Sequence, residues 1–335
     1  MTDDRPDVSV IIVSHNGRTW LDACLTSLGR QDLARLEVVL VDNGSSDDSV
    51  ALVADRFPWV HVVPLDRNLG FAGGNNAGAR QARGRLLAFL NNDTEADPRW
   101  ASALKAALDR DPAAGLATSC IVFRHDLSVV DSAGDGYMRS GGGFKRGHGQ
   151  PIAQHRDEME VFGACGAACM IRRELFEELG GFDEDFFLVY EDVDLSYRAQ
   201  LLDCRCAYVP DAMVTHAGSG TMGTVSRLSV YYGQRNLEWV YLKNTPWPLL
   251  LATLPSHLIY SLAGGVYLMR VGHFATWLSA KWSALAGLPS ILRKRRNVQQ
   301  SRRTDLRRLW ALMDRGWLTL KWREKQFDVR KAGVQ

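Results

Sequence analysis

Two nucleotide-binding fingerprints are missing from this sequence. No G-x-G-x-x-G motif follows the first strand-like run, Val8–Val13, and no G-x-x-x-x-G-K-[ST] motif occurs in the 335 residues. The first absence argues against a dinucleotide-binding domain with its usual glycine turn, and the second argues against a P-loop NTPase. If the protein binds a nucleotide, other loops must hold it.

C-x-x-C pairs are also missing, although the chain has six cysteines. Cys165 and Cys169 could share a helix face, and Cys204 and Cys206 are close in sequence. A zinc site is therefore an alternative, but we expect buried reduced thiols. The first six residues contain no apolar signal-peptide core. We therefore expect no signal peptide and a cytosolic, reducing location for the body of the protein.

Acidic residues are scarce at the C-terminal end. Residues 291–335 contain 14 Lys/Arg and 4 Asp/Glu, a local charge of +10, whereas the whole chain carries only +2. An acidic body with a basic tail fits a tail that meets anionic lipid, nucleic acid or an acidic partner. Apolar residues make up 46% of the chain and charged residues 23%, so a sizeable core is possible.

The first 120 residues alternate between strand-like and helix-like runs. Apolar, β-branched runs predict strands at 8–13, 37–41, 60–63 and 85–90. Helical spacing or composition predicts helices at 19–28, 49–56, 74–82 and 99–108. This order predicts an α/β fold with a mainly parallel sheet and helices on both faces. Residues 121–160 are rich in glycine and predict hairpins or a mobile loop.

A long uncharged segment begins after about residue 242. Asn244–Met269 has 26 residues without Asp, Glu, Lys or Arg, which is long enough to span a bilayer. Prolines and His257 interrupt it, and a single span would place Arg293–Arg296 opposite a cytosolic body, against the positive-inside tendency. We therefore expect an interfacial or re-entrant arrangement. A soluble helical subdomain is the alternative, and these helices could also serve a homodimer.

Polar clusters follow three of the predicted strands. In an open α/β sheet, ligands bind beyond the carboxyl ends of the strands, so these clusters predict a binding site. A carboxylate at the end of a buried strand is a good metal ligand, and Asp192, ahead of an amphipathic helix, is a well-placed base. Together they indicate metal-assisted transfer from a nucleotide-activated substrate. The clusters are Ser14-His15-Asn16, Asp42-Asn43-Gly44-Ser45 and Asn91-Asn92-Asp93.

An ordered series of motifs runs through about residues 8–240. They are VSVIIVSHNG from Val8, VDNGSSD from Val41, NLGFAGGNNAG from Asn68, LNNDT from Leu90, GFDEDFFLVYEDVDLSYR from Gly181, and His216. The series resembles family-2 glycosyltransferases, and more narrowly the rhamnosyltransferase-like branch that builds bacterial surface glycans. The resemblance implies a GT-A fold, a Rossmann-like mixed sheet flanked by helices. Residues 1–240 would form the catalytic domain, and residues 241–335 a helical, membrane-associating extension.

The resemblance also implies a role for individual residues. Asp192 matches the catalytic base, Asp93 the metal-binding carboxylate, and His216 a residue that often completes the metal site. Mn²⁺ or Mg²⁺ suits a carboxylate with an imidazole. Nucleotide-sugar binding falls to Ser14, Asp42, Asn75, Asn76, Asn92 and Asp93, with Asp42 beside the nucleotide base.

Structural explanations remain open for these residues. Asp42 could simply cap the following helix, and His216 taken alone could be a core or loop histidine. Asp192 could be a first-turn residue favoured by the helix dipole, and we expect Asp194 to be only a bystander. Asn236, next to Arg235, could face a diphosphate or simply pack tightly.

The implied reaction inverts the anomeric centre of a donor sugar. The resemblance favours dTDP-L-rhamnose as donor, a lipid-linked saccharide as acceptor, and a peripheral or monotopic place at the cytoplasmic face of the bacterial inner membrane, against an anionic surface. Alternatives are another UDP- or GDP-sugar, a nucleotidyltransferase, or a non-catalytic scaffold, since Asn91-Asn92-Asp93 has a single acid. We expect no nucleic-acid binding because the basic tail adjoins an aromatic, apolar segment.

Overall fold

The computed structural model describes residues 5–217, 226–321, 324 and 327, so much of the end of the basic tail lies outside the described residues. Its first part alternates strands and helices in the predicted order. The strands are β1 (Val8–Ser14), β2 (Leu36–Asp42), β3 (His61–Pro64), β4 (Leu86–Leu90) and β5 (Thr94–Ala96). The helices are α1 (Arg18–Leu28), α2 (Ser49–Arg56), α3 (Gly70–Gln81) and α4 (Trp100–Arg110). Strands β4, β1, β2 and β3 lie side by side and run parallel.

Helix α3 begins four residues before the predicted start at Gly74. Glycine has a low helix propensity, so local propensity does not favour a helix at residues 70–73. In the structure, a Cβ on Gly74 would lie 2.6 Å from Val13, and one on Gly78 would lie 2.5 Å from Ile11. The glycines thus allow α3 to pack closely on β1, and this packing outweighs the local propensity.

The second part of the chain makes the sheet mixed. Strand β11 is antiparallel to both β4 and β6, whereas β12 is parallel to β6. The expectation of a mainly parallel sheet is therefore correct only for the first part, and the implied mixed sheet is confirmed. The strands are β6 (Ala114–Phe123), β7 (Asp126–Ser132), β8 (Asp135–Tyr137), β9 (Gly143–Lys145), β10 (Met159–Val161), β11 (Ala168–Arg172) and β12 (Arg205–His216).

Residues 121–160 form hairpins, one of the two predicted alternatives. Strand β7 turns back antiparallel on β6, and β8 pairs with β9 as a separate two-stranded hairpin. Asp135 of β8 also bridges to Gly163, with backbone bonds of 2.8 and 3.0 Å. These contacts hold the glycine-rich segment against the body of the sheet.

Apolar side chains cover both faces of the sheet. On one face, Val10 and Ile12 of β1 pack with helices α1 and α4, including Trp100. On the other face, Ile11 packs with α3 and with Leu195 of helix α6 (Glu191–Leu201). Alternate residues of β1 thus enter different cores, as expected for a strand buried on both faces.

Helices make up most of the region after β12. Helices α9 and α10 pack on α7, and α8 packs on α9. The predicted boundary at residue 240 falls inside α7 and stays a prediction, but the helical extension itself is confirmed. The remaining helices are α5 (Arg173–Glu178), α7 (Arg227–Asn244), α8 (Trp247–Arg270), α9 (Phe274–Ala286), α10 (Leu288–Gln300) and α11 (Leu306–Leu312).

Candidate active site

The carboxyl ends of β1, β2 and β4 meet at one edge of the sheet. The parallel register places Ser14 opposite Asp42. Asn92, just after β4, donates a hydrogen bond of 3.0 Å from Nδ2 to Ser14 Oγ. A Cβ on Gly17 would lie 2.2 Å from both side chains, so only glycine fits beside this pair. The structure therefore brings together three of the residues predicted to bind the donor.

Asp42 is buried at this edge, and its Oδ1 accepts a 3.3 Å hydrogen bond from the Ser45 backbone N–H. Its neighbour Asn43 carries more of the local structure. Asn43 Oδ1 accepts from the Leu69 N–H at 2.8 Å, and its Nδ2 donates to the Gly70 carbonyl at 3.0 Å. Asn43 thus ties the end of β2 to the start of α3. Sequence reasoning assigned it no role, although it lies within the quoted VDNGSSD motif.

Asn75 and Asn76 lie in α3 and are buried. Asn75 Nδ2 donates to the Phe71 carbonyl of its own helix at 3.0 Å. Asn76 donates to the Phe182 carbonyl at 2.8 Å and accepts from the Phe182 N–H at 2.9 Å. These bonds attach α3 to the segment that leads to Asp192. The predicted role of both amides in nucleotide-sugar binding stays a prediction.

Asp93 and His216 are 123 positions apart in the sequence, and a short antiparallel ladder brings them together. Strand β5 pairs with the end of β12, with His216 opposite Thr94. His216 Nε2 then lies 3.3 Å from Asp93 Oδ1, and both residues are buried. We call the group formed by Asp93, His216, Asp131 and Lys145 the metal corner.

The other imidazole nitrogen is held by a carboxylate. His216 Nδ1 lies 2.7 Å from Asp131 Oδ2 on β7. Asp131 also receives the Lys145 ammonium at 2.9 and 3.0 Å, and His148 Nδ1 lies 3.2 Å from its Oδ1. Sequence reasoning missed Asp131 and Lys145, because no motif contains them and only the two hairpins bring them here.

Paired charges dominate the electrostatics of the metal corner. Burial raises the pKa of Asp131, but the charge of Lys145 and the hydrogen bonds of His148 and His216 lower it well below its usual range. Burial lowers the pKa of His216, but the hydrogen bonds to Asp131 and Asp93 raise it to about 9. The imidazole is therefore protonated at neutral pH, with one N–H toward each carboxylate.

The donor set of this corner fits a divalent cation. Metal-binding histidines usually direct their second ring nitrogen at a carboxylate, which sets the tautomer and the ring orientation. Asp131 has this relation to His216, and Nε2 remains beside the Asp93 carboxylate. A cation bound there would replace the Nε2 proton. One oxygen and one nitrogen ligand suit Mn²⁺, and Mg²⁺ with more water ligands.

A second group of acidic residues contains Asp192 and Asp135, and we call it the base corner. Asp192 lies in the first turn of α6, where its Oδ2 accepts from the Gly166 N–H at 2.9 Å and its Oδ1 accepts from the Val193 N–H at 2.8 Å. Burial raises the pKa of Asp192, although both hydrogen bonds and the charge of Lys145 lower it. The balance is a raised pKa, which suits a proton acceptor.

Two buried groups lie close to Asp192. One possible ligand atom each from Asp135, Cys165 and Asp192 fall within 4.8 Å of one another. Burial and the Asp192 charge raise the pKa of Asp135 well above its usual range. Burial also raises the pKa of the Cys165 thiol well above its usual range. Sequence reasoning missed Asp135, which only the β8–β9 hairpin brings here.

The backbone just before Asp192 is strained. Phe187, Val189 and Tyr190 have φ angles of 62°, 63° and 75°, values that side-chain-bearing residues rarely adopt. Asn236 of α7 is fully buried and donates from Nδ2 to the carbonyls of residues 186, 188 and 189 at 2.7 to 2.9 Å. Tight packing, one of the two readings of Asn236, therefore accounts for its contacts.

Asp194 has a structural position, as its predicted bystander role requires. It is fully buried and accepts from Arg198 at 2.8 Å, Lys243 at 2.7 Å and Asn244 at 2.8 Å. The bonds from Lys243 and Asn244 join α6 to α7 and so fix the helix that carries Asp192.

Residues 9–180 match the model of glycosyl transferase family 2. The chain belongs to this family. The family-2 glycosyltransferase is 30% identical over 247 residues to N-acetylglucosaminyl-diphospho-decaprenol L-rhamnosyltransferase of Mycobacterium tuberculosis, with 67% of this chain and 79% of that protein covered. It is 31% identical over 229 residues to the O-antigen biosynthesis protein RfbC of Myxococcus xanthus, with 64% of this chain and 18% of that protein covered.

Solved structures confirm the GT-A fold of this glycosyltransferase. The mannosyltransferase PcManGT from Pyrobaculum calidifontis, in complex with GDP-Man and Mn²⁺, matches with a TM-score of 0.54 at 22% identity, over 84% of this chain and 76% of that one. TarS 1-349 of S. aureus, in complex with UDP-GlcNAc, matches with a TM-score of 0.57 at 18% identity, over 88% and 91%. The predicted family, its rhamnosyltransferase-like type and the enzyme class are confirmed, whereas the nucleotidyltransferase alternative gains no support.

Proposed function

We propose that this glycosyltransferase moves L-rhamnose from dTDP-L-rhamnose to a lipid-linked saccharide, with inversion at the anomeric carbon. The observation that carries the proposal is the contact between Asp93 and His216, whose other ring nitrogen is held by Asp131. The relative that transfers L-rhamnose to a decaprenol-linked sugar supports the donor and the acceptor. The Mn²⁺ in the complex of the mannosyltransferase supports a divalent cation.

The chemistry is a single displacement. An acceptor hydroxyl oxygen forms a bond to the anomeric carbon while the bond from that carbon to the diphosphate breaks. Asp192 accepts the hydroxyl proton, and the electron pair of the broken bond leaves with the nucleoside diphosphate. Asp93 and His216 would hold Mn²⁺ or Mg²⁺, which would neutralise charge on the diphosphate. Ser14, Asp42 and Asn92 would line the donor side of the same edge.

The two corners of the site suit these roles. The Asp192 carboxylate has a raised pKa and two backbone hydrogen bonds that fix its direction. Asp131 and Lys145 keep His216 oriented toward Asp93. The reaction would take place at the cytoplasmic face of the bacterial inner membrane, where a lipid-linked acceptor is available to a cytosolic donor.

Another donor is the second candidate. The solved complexes with GDP-Man and UDP-GlcNAc show that this fold accepts other nucleotide sugars. Asp42 and the hydrogen-bonded side chains of Ser14 and Asn92 provide no feature specific to one sugar. The donors to be tested therefore include GDP- and UDP-sugars.

The test is release of nucleoside diphosphate from a panel of sugar nucleotides, with a polyprenyl-diphosphate-linked saccharide as acceptor. We expect release from dTDP-L-rhamnose that requires Mn²⁺ or Mg²⁺ and stops when a chelator is added. Asp93→Ala should lower it, whereas Glu95→Ala should not, because Glu95 pairs with the exposed Arg124. If nucleoside diphosphate is released only from a GDP- or UDP-sugar, that sugar nucleotide is the donor instead of dTDP-L-rhamnose. Binding of donors without turnover of any would favour the scaffold.

A further inference from the structure

Helix α8 has two unlike faces along its whole length. One face is buried against the body through Leu250, Thr253, His257, Gly265 and Leu268. The opposite face is apolar and exposed, and Leu262 on it is 62% exposed. The large apolar residues exposed on α8 are Trp247, Leu251, Leu258, Ile259, Leu262, Val266, Tyr267 and Met269.

Helix α9, which packs on α8, adds further exposed apolar side chains. Trp282 is 75% exposed, and Phe274, Leu278 and Leu285 are also exposed. We call these residues and those of α8 the apolar face. Soluble monomers rarely leave so many large apolar side chains together in water, and such patches mark interaction surfaces.

Polar contacts keep the inner side of α8 on the catalytic body. His257 Nδ1 lies 2.9 Å from the Ser140 carbonyl, and its Nε2 lies 2.8 Å from Glu238 Oε2. Ser261 donates to Glu238 Oε1 at 3.0 Å, and the His257 ring stacks on Tyr241 at 3.7 Å between centroids.

These contacts oppose a spanning position for α8. A spanning helix would have to leave the body, so His257 and Ser261 would enter hydrocarbon without partners. Glu238 would lose its bonds to these two side chains. Polar groups left unpaired in hydrocarbon cost several kcal/mol each. Helix α8 is long and apolar enough to cross a bilayer by length and composition, but its inner contacts hold it along the surface of the body.

The charge of this region is of one sign. Between Glu238 and Asp305 the chain contains nine Lys or Arg residues and no acidic residue. Four of the nine, Lys243, Lys281, Lys294 and Arg303, pair with acidic residues outside this stretch. Arg270, Arg293 and Arg296 are exposed, and none of them forms an ion pair within the described part of the chain. Basic side chains beside an exposed apolar surface are complementary to anionic lipid headgroups.

We propose that the apolar face inserts into one leaflet of an anionic bilayer, with α8 parallel to the membrane plane. Docking of this kind deepens the proposed function and rests on it only for the choice of membrane, since neither donor nor acceptor is needed. It also places the site beside the lipid. Ser140, which contacts His257, is close along the chain to Gly143, whose N–H donates to Tyr190 Oη at 3.2 Å, and Tyr190 comes two residues before Asp192.

The first test is flotation of the full chain with vesicles, without substrates. Wild type should float with equal parts of phosphatidylcholine and phosphatidylglycerol, and more weakly with phosphatidylcholine alone or at high salt. The double variant Leu258→Glu/Leu262→Glu should partition about tenfold or more weakly, because two apolar side chains lose their burial. Leu127→Glu is the matched control, because Leu127 is 56% exposed on β7, and it should float like wild type.

The second test measures how deeply residues of α8 lie in the membrane. Nitroxide labels on Leu251→Cys, Leu262→Cys and Met269→Cys, in a Cys204→Ser background, should report one shallow depth. Positions 251 and 269 are about 27 Å apart along a helix, close to the hydrocarbon thickness. A spanning helix would therefore place one label at the centre and the others near opposite interfaces, and that result would overturn the proposal.

Other outcomes separate this proposal from the proposed function. Wild type that does not float, but sediments as a dimer that the double variant dissociates, would show that a second copy covers the apolar face. Floating wild type that releases no nucleoside diphosphate would count against the proposed function alone. Loss of flotation in the double variant supports the proposal only if its circular dichroism matches that of wild type.

Discussion

The metal corner and the base corner lie at the same end of the sheet, and both are built from buried or half-buried carboxylates. In the metal corner, Asp131 contacts Lys145 and His216 directly, and its pKa is well below the usual range. In the base corner, Asp192 and Asp135 have no cation in hydrogen-bond contact among the described residues, and burial raises the pKa of each.

This difference shows how one residue type can serve two purposes. Pairing with cations keeps a carboxylate charged, which suits the orientation of a metal-binding histidine. Burial without a direct cation makes a carboxylate readier to take a proton, which suits a general base. Lys145 connects the corners, because it binds Asp131 directly and its charge also lowers the pKa values of Asp135 and Asp192.

The largest expected effect comes from Asp192→Asn in the base corner. The amide cannot accept the hydroxyl proton, so turnover should fall about 10²–10⁴-fold. Nucleoside diphosphate release measures the loss, and donor affinity measured by calorimetry should stay near that of wild type. Turnover equal to wild type would remove Asp192 as the base.

A smaller effect is expected in the metal corner from Asp131→Asn. Loss of the carboxylate that orients His216 should weaken Mn²⁺ binding about 10–100-fold, as seen from the free Mn²⁺ signal in electron paramagnetic resonance. The control is Asp126→Asn on the same strand, where the carboxylate is exposed and pairs locally with Ser128. If both variants bind Mn²⁺ like wild type, Asp131 does not support the metal ligand.

Lys145→Met tests the link between the corners. Turnover of wild type should fall as the pH falls through the pKa of Asp192, which lies above the ordinary 3.8, because the protonated carboxyl cannot act as a base. Removing the Lys145 charge should raise this pKa further and move the acidic limb of the kcat/KM profile to higher pH, measured at saturating Mn²⁺. Lys105→Met, whose partner Asp109 is on the same helix, should leave the limb in place.

The smallest effect is expected from Glu191→Gln, next to Asp192. Burial and the Asp192 charge raise the pKa of Glu191 well above 4.5 and so favour its neutral form, which a glutamine resembles. Turnover should therefore change little. A swap of equal volume should cost less than about 1.5 kcal/mol of stability. Loss of turnover here, with Asp192→Asn active, would transfer the role of base to Glu191.

The Glu191→Gln variant also tests how the stability of the protein changes with pH. Because the folded state holds the Glu191 proton more tightly than the unfolded state, wild type should lose stability as the pH rises above 4.5. The glutamine variant should lack this contribution, so its urea midpoint should fall less over the same pH range. Parallel pH profiles for the two proteins would contradict the assignment.

Much of the fold could be predicted because local patterns and packing agree. Helix α2 has the predicted bounds, and strands β1, β2 and β4 differ from their predicted bounds by only one or two residues. Helix α3 was predicted too short because Gly74 and Gly78 pack on β1, a tertiary reason that propensity does not contain. Strand β11 lies between two parallel strand pairs and is antiparallel to both of its neighbours, and local patterns could not predict this position either.

The candidate site was predictable only where its residues lie in motifs. Ser14, Asp42, Asn92 and Asp93 follow strand ends, and the parallel register brings the first three to one edge. Asp131 follows no such rule. Its role depends on a hairpin that returns along β6 and on a contact with a histidine 85 positions later.

The sequence by itself determined the family, the alternating first part of the sheet and the ordered polar residues at strand ends, because each of these depends on neighbours in the chain. Tertiary structure alone decided which carboxylates contact cations and which are buried without them. That distinction depends on distances between segments far apart in the sequence, and it separates the charged Asp131 from the more basic Asp192. It also decided the orientation of α8, because the contacts of His257 with Ser140 and Glu238 exist only after folding.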